Sequence, residues 1–405
     1  MAQTEVKALN PIKAPSVQNR VSEEEIDEIV RVARESPGYA IGIPGGPEGE
    51  AFEKTFIEMM GCTDAVSVNS GSSALELAAN LTGLGPGDEV ILPAHTFVAT
   101  AVPFARTGAK MIWADIDPDT RVVSADSIRS LVTDRTRAII AVHLYGLPAE
   151  MDDIVEIARG CDIRVVEDCA QAPGAEYRGR RIGTIGDFGC FSFHAAKNIT
   201  TLGEGGMLAV RDAEHGTQAR RMRWMGNWVF EMKREKDWVP AGGNLVEPAP
   251  GRWPGNYCLA EALAAVGRKA LGRLDAINEQ RRHQAQRFMG GLSEFPELSF
   301  QHVPDHCRHV YHLMSARYDG EAFGCHRDAL MTLMREKYNV QAIVQYWPLY
   351  RSELFRKFGF TEANVPETDR FFDNMISFPW WSDMSDELLD DMAERTRDAL
   401  TELRG

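Results

Sequence analysis

The sequence has few cysteines, no long apolar run and no excess of basic residues. Its 405 residues include seven cysteines, scattered and odd in number, which argues for reduced thiols rather than a disulfide framework. No apolar stretch approaches the roughly 20 residues that a membrane helix needs. Residues 1–20 also lack the apolar core of a signal peptide. We therefore expect a cytoplasmic protein without a membrane partner.

The balance of charge is acidic, with 59 Asp and Glu against 44 Lys and Arg and a formal net charge of −15. This sign disfavours nucleic acid as a partner. An anionic small substrate stays open, because a local basic pocket can oppose the global field. The length favours two domains, or one large domain with an appendage.

Short apolar runs alternate with helical patterns through the first half of the chain. Predicted strands lie at 65–68, 90–92, 111–114, 138–142, 164–167, 190–193 and 207–210. Predicted helices lie at 22–35, 48–60, 73–84, 96–107, 124–132 and 151–159. Repeated strand–helix units predict an α/β fold with a mainly parallel seven-stranded sheet between helices. In such sheets, ligands bind outside the carboxyl ends of the strands.

The pattern changes after residue 210. We predict one long helix over 259–290 and further strands at 342–346 and 375–378. The predicted parts of the chain are an N-terminal arm (1–24), a large domain (25–275) with an insertion at about 221–254, and a small C-terminal α+β domain (276–405). The insertion contains Trp224, Trp228, Trp238 and Trp253.

A polar turn follows the first predicted strand and contains Ser70, Gly71, Ser72 and Ser73. Ser73 and Glu76 match a capping box, which predicts a helix that starts near Ser72. A helix N-terminus attracts phosphate through its free N–H groups and dipole, and serine hydroxyls add donors. Taken alone, such a turn is more often only a turn.

Three residues near the ends of later strands could serve a flat aldehyde cofactor. Phe97 could stack on a ring or belong to the core. Asp168 could keep a pyridine nitrogen protonated, and Lys197 could bind an aldehyde as a Schiff base. In isolation, Asp168 could equally be a helix cap, and Lys197 could be a solvated surface charge. Their order, after the polar turn and at the strand ends of one sheet, favours a pyridoxal phosphate site.

Five motifs, in this order, carry a resemblance to a known family: NSGSSAL (69–75), GDEVILP (87–93), EDCAQA (167–172), SFHAAK (192–197) and GEGG (203–206). From about residue 38 to residue 381, the chain resembles the DegT/StrS family of fold-type I, pyridoxal-phosphate-dependent sugar aminotransferases. The resemblance implies Lys197 as the Schiff-base lysine, Asp168 on the pyridine nitrogen and Phe97 stacked on the ring. The other implied cofactor-binding residues are Ser72, Ser73 and Ser192 on the phosphate and Gln171 against the ring.

The resemblance also implies a homodimer with composite active sites. The segment 255–257 looks like the family segment that crosses to the neighbouring subunit, where Asn256 would contact the phosphate. Many members have arginine two positions after this asparagine, whereas this chain has Cys258. If that arginine helps to hold the amino donor's carboxylate, another residue must do so here, and Arg252 is a candidate.

Candidate substrate residues are His312, Tyr346 and Trp228. Tryptophan faces suit the C–H faces of sugar or cyclitol rings, although packing of the insertion explains Trp228 equally well.

The activity that the resemblance implies is transfer of an amino group from glutamate or glutamine to a keto group of a sugar-like acceptor. The acceptor could be a nucleotide-linked keto sugar, a cyclitol ketone or a sugar acid. One alternative is a pyridoxal-dependent sugar dehydratase, but such relatives replace the lysine with histidine. A second alternative is a non-catalytic, pyridoxal-binding regulatory protein.

Metal-capable side chains also cluster in one segment, as His302, His306, Cys307, His309 and His312. Their spacing matches no standard zinc pattern and includes no CxxC. We therefore predict no metal site.

Overall fold

The computed structural model describes residues 9–15, 21–35, 46–226 and 245–405. Its α-helices are α1 (Glu23–Glu35), α2 (Pro47–Met60), α3 (Gly71–Leu81), α4 (Val102–Arg106), α5 (Ala125–Leu131), α6 (Met151–Ala158), α7 (Ala213–Arg223), α8 (Glu261–Leu271), α9 (Leu274–Gly290), α10 (Arg327–Glu336), α11 (Glu353–Lys357), α12 (Pro366–Asn374) and α13 (Asp386–Leu403). Its strands are β1 (Asp64–Val68), β2 (Glu89–Pro93), β3 (Lys110–Ala114), β4 (Thr136–Val142), β5 (Arg164–Asp168), β6 (Glu176–Tyr177), β7 (Arg180–Arg181), β8 (Phe188–Ser192), β9 (Gly206–Val210), β10 (Leu298–Phe300), β11 (Cys307–Arg308), β12 (Met314–Tyr318) and β13 (Met375–Phe378).

A seven-stranded sheet in the order β1-β9-β8-β5-β4-β2-β3 forms the centre of the molecule. Only β9 runs antiparallel to its neighbours β1 and β8, and the remaining pairs are parallel. The strands are nearly continuous apolar runs because helices cover both faces of the sheet. The prediction of a mainly parallel seven-stranded sheet is confirmed.

The parallel strands bring distant residues to one edge of the sheet. Asp168 is the last residue of β5 and lies beside Cys190 of β8. Ser192 ends β8, and α3 begins shortly after the end of β1. The carboxyl ends of β1, β5 and β8 therefore converge where a ligand of such a sheet is expected.

A buried carboxylate fixes the end of β5. Glu167 is fully buried and accepts hydrogen bonds from the backbone N–H groups of Gly183, Ile185 and Gly186, each at 2.7 Å. His143, next after β4, contacts the same carboxylate at 3.1 Å. Since buried donors without partners are costly, these bonds hold the end of β5 against β4 and the loop before β8.

The start of α3 differs from the predicted capping box. Ser70 is the N-cap, and its hydroxyl accepts a hydrogen bond from the Ser73 N–H at 3.1 Å. Glu76 instead forms an ion pair with Arg106 at 2.9 Å. The capping box of Ser73 and Glu76 was therefore wrong, because an earlier serine already satisfies the first turn.

The long helix predicted over 259–290 is also wrong, since the structure divides it into α8 and α9. The N–H groups of Gly272 and Arg273 bond to carbonyls three residues earlier, at 3.1 and 3.0 Å. These tighter turns end α8 before α9 starts.

The strand predicted at 342–346 is reduced to one bridge between Ile343 and Ser377. The chain then leaves the sheet edge, and the Gln345 carbonyl accepts from the Tyr145 hydroxyl instead. Helix 96–107 is likewise split into a 3₁₀ turn (Val98–Thr100) and α4.

Two hydrophobic clusters support the molecule. The first surrounds the central sheet, and the second joins β10, β12 and β13 to α9, α10 and α13. Ile12, within the predicted N-terminal arm, packs in the second cluster and pairs with Val340. The exact domain boundaries stay a prediction.

All seven cysteines lie in described regions and are free thiols. No helix in the described ranges combines the length and apolar character needed to cross a bilayer.

Candidate active site

A cavity of about 470 Å³ opens at the carboxyl edge of the sheet. Its lining includes eight of the residues predicted from the sequence: Ser72, Phe97, Asp168, Gln171, Ser192, Lys197, His312 and Tyr346. Cavities of roughly 300–1,000 Å³ are typical of small-molecule sites. Residues remote in sequence therefore form one site of suitable size.

The N-terminus of α3 forms one wall through an unusually close backbone approach. A Cβ atom on Gly71 would lie 2.6 Å from the Ser192 Cβ, and one on Gly206 would lie 2.3 Å from the Ser70 carbonyl oxygen. Glycine at both positions allows β8 and β9 to pack against the start of the helix. The resulting cradle of N–H groups and serine hydroxyls suits an anion.

Ser73 stands behind this cradle rather than on its surface. Its hydroxyl donates to the Asn69 side-chain oxygen and lies 2.9 Å from the Ser70 hydroxyl oxygen. Ser72 is exposed to the cavity. Ser73 thus orients the turn, and its direct contact with a phosphate stays a prediction.

Asp168 is buried and has both carboxylate oxygens occupied by donors. Oδ1 accepts from the Ala170 N–H at 3.0 Å, and Oδ2 accepts from the Thr100 hydroxyl at 2.7 Å. Thr100 lies 68 positions earlier in the chain. No sequence pattern indicates this contact, because only the packing of β2 and β5 in one sheet brings the two residues together.

Lys197 lies in the turn after β8 and is half-buried. Burial lowers the pKa of its amine to about 8, although Asp168 and Glu204 act in the opposite direction. A lysine with a lowered pKa has a larger fraction of the nucleophilic free amine near neutral pH.

Two aromatic side chains, Phe97 and Tyr346, also line the cavity. Phe97 is 52% exposed and its ring lies 5.7 Å from that of Tyr346. The interpretation of Phe97 as a core residue is therefore wrong. Gln171 accepts from the Tyr145 N–H at 2.8 Å, and its amide nitrogen lies 3.5 Å from the Tyr346 hydroxyl.

Comparison with known proteins identifies the family that has this arrangement of residues. The model of the DegT/DnrJ/EryC1/StrS aminotransferase family matches residues 20–397. The chain belongs to this family. The spore coat polysaccharide biosynthesis protein SpsC of Bacillus subtilis (strain 168) is 33% identical over 392 residues, covering 93% of this chain and 95% of SpsC.

Solved structures give the same result. The putative sugar aminotransferase Spr1654 from Streptococcus pneumoniae, in its PMP form, has a TM-score of 0.85 and 25% identity, covering 98% of this chain and 100% of Spr1654. DesV from S. venezuelae, solved with a ketimine intermediate, has a TM-score of 0.78 and 31% identity, covering 94% of each chain. The chain is thus a pyridoxal-phosphate-dependent aminotransferase of fold type I.

The described residues of this aminotransferase fit pyridoxal phosphate. The start of α3 has no room for a Cβ at Gly71, and its N–H groups and hydroxyls offer donors to a phosphate. An amine of lowered pKa and a buried carboxylate line the same cavity. These are the anion, aldehyde and ring-nitrogen partners that the cofactor requires.

A network of amides fixes the tautomer of His312. The Asn278 amide donates to the Pro173 carbonyl at 2.9 Å, so its oxygen is the acceptor that faces Asn198. The Asn198 amide donates to Asn278 at 3.0 Å and to the Val310 carbonyl at 3.3 Å. The oxygen of Asn198 therefore faces His312 Nδ1, 3.1 Å away.

This contact makes His312 Nδ1 a donor and leaves Nε2 with a lone pair. Burial lowers the pKa of His312 well below its usual range, and the positive charges of Lys197 and Arg281 lower it further. His312 is thus a neutral imidazole on the cavity wall, able to accept a hydrogen bond.

Several predicted or candidate residues lie elsewhere. Asn256 is exposed and does not line the cavity of its own chain. The Arg252 guanidinium donates to the Leu84 carbonyl, and the Cys258 thiol donates to the Arg223 carbonyl at 3.5 Å. Trp228 lies outside the described residues.

The cavity lining also includes residues without a predicted cofactor or substrate role: Ser70, His194, Glu204 and Gln345. Glu204 lies in the GEGG motif (203–206).

The predicted histidine cluster does not converge on one point. His306 pairs with Glu150 at 3.0 Å, whereas His309 bonds to Gln301 at 3.1 Å. Glu150, His306 and Cys307 place possible ligand atoms within 4.8 Å of one another. Since Glu150 already binds His306 and the Tyr177 hydroxyl, hydrogen bonding explains this group. The absence of a metal site stays a prediction.

We expect His312 to stay neutral, with its proton on Nδ1, through the pH range in which a free histidine titrates, because folding lowers its pKa. Nitrogen-15 NMR of histidine-labelled protein would report the tautomer, with the His312→Gln variant assigning the signal. A His312 signal that titrates near the ordinary value of about 6.5 would contradict this structure.

Proposed function

We propose that this aminotransferase moves an amino group from glutamate or glutamine to a keto group of a sugar-like acceptor. The observation that carries the proposal is the convergence of Lys197, Asp168 and the N-terminus of α3 on one cavity. The family resemblance supports the donor and the acceptor class, and the polar side chains that line the cavity support a polar acceptor.

In this proposal the cofactor phosphate lies in the cradle formed by Ser72, Ser192 and the start of α3, with Ser73 orienting the turn. The N–H groups and dipole of the helix supply positive potential, and the hydroxyls supply further donors. Phe97 stacks on the cofactor ring, which explains why so large an apolar side chain is exposed within a cavity.

Asp168 contacts the ring nitrogen in this arrangement, and Gln171 lies against the ring. The carboxylate stabilises a proton on that nitrogen, and the Tyr145 N–H holds Gln171 in place. When bound, pyridoxal phosphate supplies an aldehyde that accepts an amino group and a ring that withdraws electrons from the reacting carbon.

Lys197 performs two tasks. Its amine would hold the aldehyde of the cofactor. The same Nζ, whose pKa burial lowers to about 8, would take up and return a proton at the reacting carbon of the substrate. A base with a pKa near the working pH can both take up and return this proton.

The polar side chains that line the cavity support the proposal of a hydroxyl-rich acceptor. His312 presents a hydrogen-bond acceptor, and Tyr346, Glu204 and Gln345 add polar groups. SpsC, named for spore coat polysaccharide biosynthesis, and the sugar aminotransferase Spr1654 support the same class. A nucleotide-linked keto sugar, a cyclitol ketone and a sugar acid all meet this description.

The surface around Asn256 supports a homodimer with composite active sites. The N–H of Met225 donates to the Gly255 carbonyl at 2.9 Å, and Trp253 is 91% exposed. Among the described residues nearby, Met225, Leu245 and Val246 also have exposed apolar side chains. Because exposed apolar groups favour burial, a second copy would cover this surface and place Asn256 at the neighbouring cofactor phosphate.

The first test is a half-reaction followed by absorption. Protein loaded with pyridoxal phosphate should lose its absorption band of covalently bound cofactor when glutamate or glutamine is added. The Lys197→Ala variant should keep its fold but lose turnover by about 1,000-fold or more, since it lacks the proton carrier. Lys357→Ala, on an exposed helix, is the matched control and should behave as the unmodified protein.

Substantial turnover by Lys197→Ala would remove this residue from its proposed role. A band that neither donor changes would contradict the proposed donors.

The cradle is tested by Gly71→Ala. Its Cβ would collide with Ser192 and move the helix end, so the dissociation constant of pyridoxal phosphate should rise about tenfold or more. Gly85→Ala is the matched control, because its Cβ would meet no atom closer than 4.0 Å. Equal affinities for the two variants, measured by equilibrium dialysis, would mean that the phosphate lies elsewhere.

A further inference from the structure

Two buried hydroxyls form a chain that ends on Asp168. Thr100 Oγ1 lies 2.7 Å from Asp168 Oδ2, and Thr96 Oγ1 lies 2.8 Å from Thr100 Oγ1. Both threonines are 1% exposed, so water does not compete for these contacts.

The direction of the chain follows from the number of protons. An ionised carboxylate only accepts, so the single hydroxyl proton of Thr100 is directed to Asp168. Thr100 can then only accept from Thr96, whose own proton must occupy the 2.8 Å contact. Hydrogen bonds aligned in one direction polarise one another, which strengthens the last bond to the carboxylate.

The position of Thr100 connects two parts of the site. It ends the 3₁₀ turn Val98–Thr100, and its N–H donates to the Phe97 carbonyl at 3.0 Å. One turn of the chain therefore carries both the exposed aromatic ring and the buried donor to Asp168. A shift of this turn would move both groups together.

We propose that Thr100, supported by Thr96, is a positioning residue that holds the Asp168 carboxylate toward the ring nitrogen of the cofactor. The proposal rests on the role given to Asp168 in the proposed function. The Ala170 N–H holds Oδ1 and Thr100 holds Oδ2, so the carboxylate cannot rotate freely. Each oxygen keeps a further lone pair for the cofactor, because a carboxylate has about four acceptor sites.

Removal of the Thr100 hydroxyl should therefore act only through Asp168. Thr100→Val keeps the branched shape but leaves Oδ2 without its donor. We expect its dissociation constant for pyridoxal phosphate to rise about tenfold, as for loss of a hydrogen bond to a charged group. Thr100→Ser should recover most of this loss, and Thr96→Val should cause a smaller rise of about threefold.

The decisive experiment is a double-mutant cycle on cofactor affinity, measured by equilibrium dialysis with Asp168→Ala, Thr100→Val and the double variant. If Thr100 acts through Asp168, Thr100→Val should have almost no effect in the Asp168→Ala background. A pH titration of the bound-cofactor absorption band should shift for Thr100→Val and return with Thr100→Ser. Thermal unfolding of each variant confirms that the fold is retained.

Different failures have different meanings. If Asp168→Ala weakens binding but Thr100→Val does not, the positioning role is overturned and the proposed function survives. Additive effects of the two substitutions would also overturn it, since Thr100 would then act independently. If Asp168→Ala itself leaves affinity and spectrum unchanged, both proposals fail.

Discussion

The arrangement of residues at the carboxyl edge of the central sheet, where the active site lies, depends on the buried carboxylate of Glu167. Burial alone would raise its pKa, but His143 and the N–H groups of Gly186 and Gly183 outweigh burial and lower it. The Ala149 N–H donates to His143 Nδ1 at 3.1 Å, so His143 directs its Nε2 proton to Glu167. An ionised group is therefore fully paired in the interior, without a counter-ion from solvent.

The hydrogen bonds that fix Glu167 also determine the direction of the next side chain, Asp168. Successive side chains of a strand point to opposite faces, so fixing Glu167 on one side directs Asp168 to the other. The same carboxylate holds the loop before β8, the strand that leads to Ser192 and Lys197. One buried group thus sets the relative placement of the residues proposed to bind the cofactor ring, phosphate and aldehyde.

The remaining parts of the site combine rigidity with close approach. Glycines at 71 and 206 let three segments meet without intervening side chains. An amide network starting at the Pro173 carbonyl fixes the proton on His312. Such prior orientation reduces the cost of arranging charged and polar groups when a substrate binds.

Sequence reasoning identified the fold and the cofactor, and two of the residues that it singled out, Lys197 and Asp168, line the cavity. These were accessible because strand–helix alternation determines where strand ends meet, and motifs at those ends have recognisable chemistry.

What the sequence did not reveal depends on tertiary contacts. Thr100 meets Asp168 only after the sheet forms, and the tautomer of His312 depends on residues that are distant in the sequence, namely Asn198, Asn278 and Pro173. The errors were local: the cap of α3, the divisions of the helices predicted over 96–107 and 259–290, and the edge at 342–346. In each, a competing hydrogen bond overrode a pattern that was sound by itself.

The most direct measurement is chemical mapping of the lysine that carries the cofactor. Borohydride reduction of the loaded protein would fix pyridoxal phosphate to its lysine, and peptide mass spectrometry would locate it. We predict the label on Lys197, within the segment that follows β8. A label on any other lysine, or none in a protein that retains the cofactor, would contradict the central assignment of this active site.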